Sequence, residues 1–399
     1  MFRRQSMKKT AILITLVLCL FGFAACGTTQ TEPTSDDPIT STPAASEPIT
    51  ATPSASAADV GSNIAIVIHG KEYPVELCNI YYASTYYDFL NIYGEYASML
   101  GLDTSTGLSG LKEQSCDYSE DGTWYGYFRE SAMMMLEQSE ALCDYAATNG
   151  ITLSEELSDE IEAFFQNFDA LSVQNGFADH NEYLSVVYGP GVDDSLYRTY
   201  LETTTLADYT YQSYYDGLSF TEQEIDENYA LMGYAEGENE YPVTAMRHIL
   251  VMAEPDENGV YTEEAIAEAH HAAEALYEQW KNGDCTEESF AKLANTHSDD
   301  SVSTQNGGLY ENIFQGQMVP GINEWLFEEE RAEGDTALID NNGSYVGTHI
   351  VYFVGTGELY SRILSLEDLR TAELNGWFSA LMQNYSAAKG PAFDNIGIF

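Results

Sequence analysis

Arg247-His-Ile-Leu-Val251 and Gly347-Thr-His-Ile350 are the two stretches on which the reading of this 399-residue chain turns. Each sets one histidine in a run of aliphatic and β-branched residues, the composition of a buried strand. The first belongs to a strand-like segment, Thr244–Met252, and the second opens a last strand, His349 to Val354, reading His-Ile-Val-Tyr-Phe-Val. Between them, Thr262 to Asn282 has helical spacing, with Ala265, Ala269, Ala272, Leu276 and Trp280 on one face and a stop at Gly283. A second helix over Glu287–Asn295, a turn at Gly307-Gly308, a third short helix and two strands complete the segment. Tyr241–Gly357 is therefore expected to be one α+β domain, and about 115 residues is an ordinary single-domain size.

Outside this segment the pattern is helical. Ile64, Ile66 and Ile68 alternate up to a turn at Gly70-Lys71, a short hairpin. Helices are predicted from Val75 to about Leu100, over Trp124–Ala147 with a stop at Asn149-Gly150, over Ser154–Ser172, and over Asp193–Tyr215. Thr221-Glu-Gln-Glu224 is a capping box opening a helix toward Met232, and a long polar helix returns over Ser365 to Ala387.

The N-terminus carries an address. Arg3, Arg4, Lys8 and Lys9 precede an apolar run from Ala11 to Phe23, too short for a comfortable membrane span of about 20 residues and suited to a signal h-region. Phe23-Ala24-Ala25-Cys26-Gly27 resembles a bacterial lipobox, which implies lipidation of Cys26 and an anchor on the membrane. Residues 26–62 are rich in Thr, Ser, Pro and Ala, with the decamer Asp37–Ser46 repeated as Glu47–Ser56 and no aromatic residue to build a core. This is a stiff spacer with a reach on the order of 100 Å.

Charge excludes some functions. With 15 Lys+Arg against 64 Asp+Glu, a formal net charge of −49, the chain cannot neutralise a phosphate backbone, so nucleic acid is no partner. Removing the signal takes four basic residues and leaves 11 against 64, or −53, so any membrane attachment rests on acyl insertion alone. Downstream, Cys78, Cys116, Cys143 and Cys285 show no CxxC spacing and admit three pairings or none. Gly107-Leu-Ser-Gly110 is no nucleophile elbow.

The series Arg247-His-Ile-Leu-Val251, Phe290-Ala-Lys-Leu-Ala294, Ser298-Asp-Asp-Ser301, Gly307-Gly-Leu309, Gly316-Gln-Met-Val-Pro320, Phe327 and Gly347-Thr-His-Ile350 resembles a parvulin-type peptidyl-prolyl cis-trans isomerase. With the lipobox, the helical module and the returning helix, the whole chain is similar to PrsA-like foldase lipoproteins and, more distantly, SurA-like chaperones. The fold class this implies is α+β: a parvulin domain, a small antiparallel sheet with surrounding helices, inserted between an all-helical chaperone-like module and a C-terminal helix that packs back on it. The expected divisions are a lipoprotein signal over 1–25, a tether over 26–62, the helical module over 63–240, the isomerase domain over 241–357 and the C-terminal helix over 358–399.

The resemblance implies rotation about X–Pro bonds of unfolded or newly secreted polypeptides, with no metal and no cofactor. By motif, His248 and His349 form a facing pair, Asp300 stands where the family has Cys or Asp, and Ser344 supplies a hydroxyl. The family's proline socket maps to Leu309 and Met318, with Phe327 behind, and to Ile322 where the family usually has Phe. Because Ile cannot stack on the ring, catalysis is expected to be weakened by about 1 kcal/mol rather than abolished. The loop Met252–Gly259 has no Arg or Lys, so phosphate-directed recognition is not expected. Twenty-one of 29 tyrosines lie between Tyr73 and Tyr234, and serve either helix packing or a client-binding cleft. A non-catalytic holdase is the alternative function. A solute-binding lipoprotein would need two α/β lobes, which a helical 63–234 does not supply.

Overall fold

The computed structural model describes residues 63–343 and 345–399; the signal, Cys26, the tether and Ser344 lie outside the described residues. In chain order the elements are β1 (Ile64–Ile68), β2 (Lys71–Pro74), α1 (Val75–Tyr93), α2 (Trp124–Asn149), α3 (Glu155–Gln174), α4 (His180–Tyr188) and α5 (Asp194–Gly217). There follow α6 (Glu222–Leu231), β3 (Pro242–Met252), α7 (Glu263–Lys281), α8 (Glu287–His297), β4 (Leu309–Ile313), α9 (Pro320–Phe327), β5 (Thr336–Asn342) and β6 (Val346–Leu359). The chain ends through α10 (Tyr360–Met382) and β7 (Ala388–Lys389). Two compact units result, one ending at Leu218 and resuming over Leu374–Phe399, the other spanning Ser219–Glu373.

The first unit is helical around a three-stranded ribbon. His69 and Gly70 both have positive φ, 50° and 82°, which makes a two-residue type I′ turn one position earlier than the sequence pattern places it. β7 pairs with the free edge of β1, giving the order β2-β1-β7. Side-chain caps start the helices: Thr123 accepts from Gly126 N, Ser154 from Leu157 N and Asp193 from Leu196 N. Trp124, Tyr81, Tyr82, Phe128 and Ile80 are among the largest fully buried side chains. Tyr73, Tyr86, Tyr125, Tyr188, Tyr197 and Tyr200 are buried too, so much of the tyrosine excess is packing. The last turns of α10 join this unit, with Trp377 stacked on Tyr214 at 3.8 Å and 8°. Cys78 and Cys116 are buried thiols, and none of the four described cysteines is paired.

The second unit is a four-stranded antiparallel sheet in the order β4-β3-β6-β5. β4 escapes the sequence reading because Leu-Tyr-Glu-Asn-Ile is short and buries only its last residue fully. The register sets Ile249 opposite Ile350, and His248 opposite Val351, so the sheet's two faces alternate from Met246 to Met252, beyond the irregularities at Pro242–Met246. Ile249 and Ile350 pack with Ala273, Trp280, Phe290 and Ala294 of the two long helices. Ala273 rather than Ala272 lines that layer, one position off the predicted stripe. The opposite face packs Met246, Val351 and Phe353 against Ile313, Ile322 and Leu326.

The compact units do not divide at 240/241 and 357/358, where the change of pattern sets the expected domain boundaries. The Ser365 hydroxyl donates to the Ile225 carbonyl at 2.6 Å, Asn228 donates to the Ser365 carbonyl at 3.2 Å, and Arg362 pairs with Glu222. These contacts tie α6 to the first turns of α10, and both group with the sheet.

Phe290 is fully buried between β3, β6 and Trp280. Phe290→Ala is expected to cost the second unit about 3–5 kcal/mol. Denaturant unfolding followed by Trp280 fluorescence measures this, and a loss below about 1 kcal/mol would contradict a close-packed helix layer.

Candidate active site

The site grows from the β3–β6 register. Because Leu250 is opposite His349 and Val351 is opposite His248, the two histidines share one face as diagonal neighbours. Their rings lie nearly parallel, 14° apart with centroids at 5.2 Å, and Nδ1 faces Nδ1 at 3.1 Å. Both are buried, at 4% and 1% exposure.

Asp300 is delivered by the turn after α8. The Ser298 hydroxyl accepts from Leu250 N at 3.1 Å, Asp299 N donates to the Leu250 carbonyl at 2.8 Å, and the Asp299 carboxylate accepts from Met252 N at 2.8 Å. With the two preceding residues zipped to the β3 backbone, the Asp300 carboxylate meets His248 Nε2 at 2.8 Å. The next turn closes through Gly308, whose N–H donates to the Ser303 carbonyl at 2.8 Å and whose carbonyl accepts from His248 N at 2.9 Å. A Cβ at Gly308 would sit 2.1 Å from the His248 carbonyl oxygen, and φ is +71°, so only glycine fits.

Three groups outside the expected set complete the network. Ser303 donates to the same Asp300 oxygen that His248 binds, and lies 3.3 Å from His248 Nε2. Tyr310 donates to that oxygen at 3.0 Å, and the Tyr345 hydroxyl meets His349 Nε2 at 2.9 Å. A Tyr four residues before the second histidine is the one sequence signal for Tyr345; nothing local marks Ser303. Ser344, expected to supply the hydroxyl, lies outside the described residues.

The socket differs in detail. Leu309 pairs with Arg247 and Tyr310 with Met246, so strand alternation puts Tyr310, not Leu309, on the histidine face. Met318 and Ile322 do join Tyr310 in one apolar cluster, flanked by Val351 and Ile339 beside the two histidines. Ile322 is fully buried within it. Phe327 also touches this cluster, but it packs edge-to-face on Tyr241 at 5.7 Å and lines a cavity with Pro242 and Thr244. Four residues of strand, about 13 Å, separate Thr244 from His248, so Phe327 stands at the far end of the face.

Electrostatics assign the protons. The hydrogen bond from His248 holds the Asp300 carboxyl well below the usual carboxylate range against the opposing effect of burial, with Ser303 and Tyr310 adding to it. Asp300 is therefore an acceptor, and His248 Nε2 carries a proton. Burial, then His248, lowers His349 to about 4, so its imidazole is neutral. Neutral His349 has one N–H: donated from Nδ1 to His248, it leaves Nε2 to accept from Tyr345. Burial and then Asp300 push Tyr310 up to about 12. The result is a linear chain of oriented dipoles beside an apolar wall, with the charge fixed at one end.

Residues 248–355 match the model of the rotamase family, described as the PPIC-type PPIase domain. The segment that carries both histidines and Asp300 is thus a peptidyl-prolyl isomerase domain by class, and it belongs to the parvulin type. Solved structures similar to the chain include PrsA from Bacillus subtilis, at 18% identity and a TM-score of 0.34, covering 66% of this chain and 90% of that one. The foldase PrsA from Streptococcus pneumoniae is similar at 14% identity and a TM-score of 0.31, covering 66% and 87%. A SurA-like chaperone from Campylobacter jejuni is similar at 10% and 0.27, covering 82% and 98%. No curated protein matches the chain.

His349 titrates near 4 when folded and near 6.5 when unfolded, so the unfolded chain binds the extra proton between those values. Stability is expected to be full above pH 6.5 and to fall as pH drops from 6.5 toward 4. Lowered Asp300 adds a loss of the same sign below about pH 4. Thermal melts of wild type and His349→Gln against pH check this: the wild-type slope between 6.5 and 4 should flatten in the variant, and parallel slopes would refute it.

Proposed function

We propose that the chain is an extracytoplasmic, lipid-anchored peptidyl-prolyl cis-trans isomerase of the PrsA-like foldase kind, acting on newly exported polypeptides. The observation that carries the catalytic half is the convergence of His248, His349, Asp300, Tyr310 and Tyr345 in one hydrogen-bonded network beside the apolar cluster that holds Met318, inside a PPIC-type domain.

An X–Pro amide resists rotation by about 18–20 kcal/mol because planarity preserves resonance. At the twisted transition state the carbonyl dipole shrinks and nitrogen regains a lone pair. An apolar wall against the proline ring disfavours the more polar planar state, and preorganised polar groups stabilise the twisted one. In this reading Met318 and Tyr310 receive the ring, while His349 and Tyr345 present neutral dipoles to the rotating carbonyl. Asp300 fixes His248 and through it the pair. Its carboxylate already accepts three hydrogen bonds, which suits orientation rather than covalent attack.

One observation favours the non-catalytic holdase instead: Ile322 is fully buried where an aromatic would stack on the ring. A protease-coupled isomerisation assay on the purified protein separates the two. Wild type is expected above the uncatalysed rate, and Asp300→Asn at least about ten-fold lower, since His248 loses its charged partner. Wild-type rates at the uncatalysed level, with client refolding indifferent to Asp300→Asn, would establish the holdase.

The anchor rests on the Cys26 motif. Cys26→Ser is expected to move the protein from the membrane fraction to the soluble fraction and to abolish incorporation of a palmitate analogue. Unchanged fractionation and labelling would refute lipidation at Cys26.

A further inference from the structure

Within the first unit, α1, α4 and α5 enclose a cavity of about 110 Å³ that lies outside the isomerase domain. Ser84, Tyr87 and Asp88 line it from α1, Tyr188 from α4, and Tyr197, Tyr200, Leu201 and Thr204 from α5. These positions follow i, i+3, i+4 spacing on α1 and i, i+3, i+4, i+7 on α5, so each helix turns a single face to it. The volume is below that of a drug-sized site of about 300 Å³, and suits one side-chain head group.

The chemistry of the lining is specific. Asp88 is its one charged group, and among the described residues no hydrogen-bond donor or cation partners its carboxylate. Around it stand tyrosine side chains held in fixed orientations: Tyr188 and Tyr197 have centroids 5.1 Å apart with their hydroxyls at 3.3 Å, and Tyr200, which lines the cavity, meets Tyr81 behind it edge-to-face at 4.9 Å. A carboxylate inside aromatic walls binds organic cations, because ring faces and carboxylate both attract positive charge. A divalent metal would want further carboxylates, and among the described residues no cluster of metal-binding side chains forms here.

Among the described residues none supplies a cation there. Arg198, on the same α5 helix, is bound to Glu162 and lies over the Phe165 ring at 4.2 Å. Burial pushes Asp88 up to about 6. Asp88 is held at a desolvation cost that a bound cation would offset.

We propose that this pocket is a binding site for the guanidinium or ammonium head of an arginine or lysine side chain of a client polypeptide. The client's being a polypeptide rests on the foldase reading; the cation preference rests on Asp88 and the tyrosine walls. The excess of acid over base then attracts basic segments, and the pocket selects one side chain from them.

The test uses the purified protein and two fluorescent peptides, Gly-Ser-Arg-Ser-Gly and the same sequence with citrulline, which keeps the shape and removes the charge. Wild type is expected to bind the arginine peptide at least about ten-fold more tightly. Asp88→Asn should erase that preference, while Glu156→Gln, an exposed acid on α3, should keep it. Equal affinity for the two peptides in wild type would overturn the proposal, and so would an arginine preference that survives Asp88→Asn. The isomerisation rate on a short prolyl peptide, measured on the same samples, should not change in Asp88→Asn. Selectivity without isomerisation would count against catalysis alone, and isomerisation without selectivity against the pocket alone.

Discussion

The antiparallel register of β3 on β6 is the constraint on which the site depends. Side chains alternate every residue along a strand, so a slip of one position would move either histidine to the helix-covered face. As paired, Ile249 and Ile350 seal the helix layer while His248 and His349 meet on the other side. The same pairing places Val351 and Ile339 beside the histidines, which excludes water from one side and depresses protonation of His349. Packing on one face thus fixes electrostatics on the other.

The register is backed by an unusual use of scarce charge. Arg247, beside His248 but pointing to the opposite face, bonds the Asn306 and Gly307 carbonyls at 2.9 and 3.0 Å and Glu287 at 2.9 Å. In a chain with 15 basic residues against 64 acidic ones, an arginine spent on a turn marks where rigidity is needed. That turn positions Ser303, Gly308 and Tyr310, three of the residues surrounding Asp300 and His248.

His248, His349 and Asp300 were legible because each sits in a short motif that resembles the parvulin family's, and that resemblance implies the facing pair. Tyr310 was hidden behind Leu309: the resemblance points to Leu309, and β4 is too short for its own pattern to show that Tyr310 pairs with Met246 on the histidine face. Ser303 and Tyr345 act through contacts made across the fold, which periodicity does not encode. The long helices and their caps were readable from local rules. Two-residue β7 and nine-residue α4 were not, since tertiary pairing rather than propensity holds such short elements. The compact units divide elsewhere than the change of sequence pattern because α6 finds its partner in α10.

The pairing of β7 with β1 has a consequence for the order of assembly. Tyr125 donates to the Ile396 carbonyl across 271 residues, and Gly397 N to Asn79 across 318. The sheet unit is contiguous, so every contact it needs exists once Glu373 has been made. The helical unit cannot close until the segment Leu374–Phe399 arrives, so it carries the loop-closure entropy of those long separations. A chain synthesised from its N-terminus therefore completes its sheet unit before its helical unit, while the edge of β1 waits unpaired for β7.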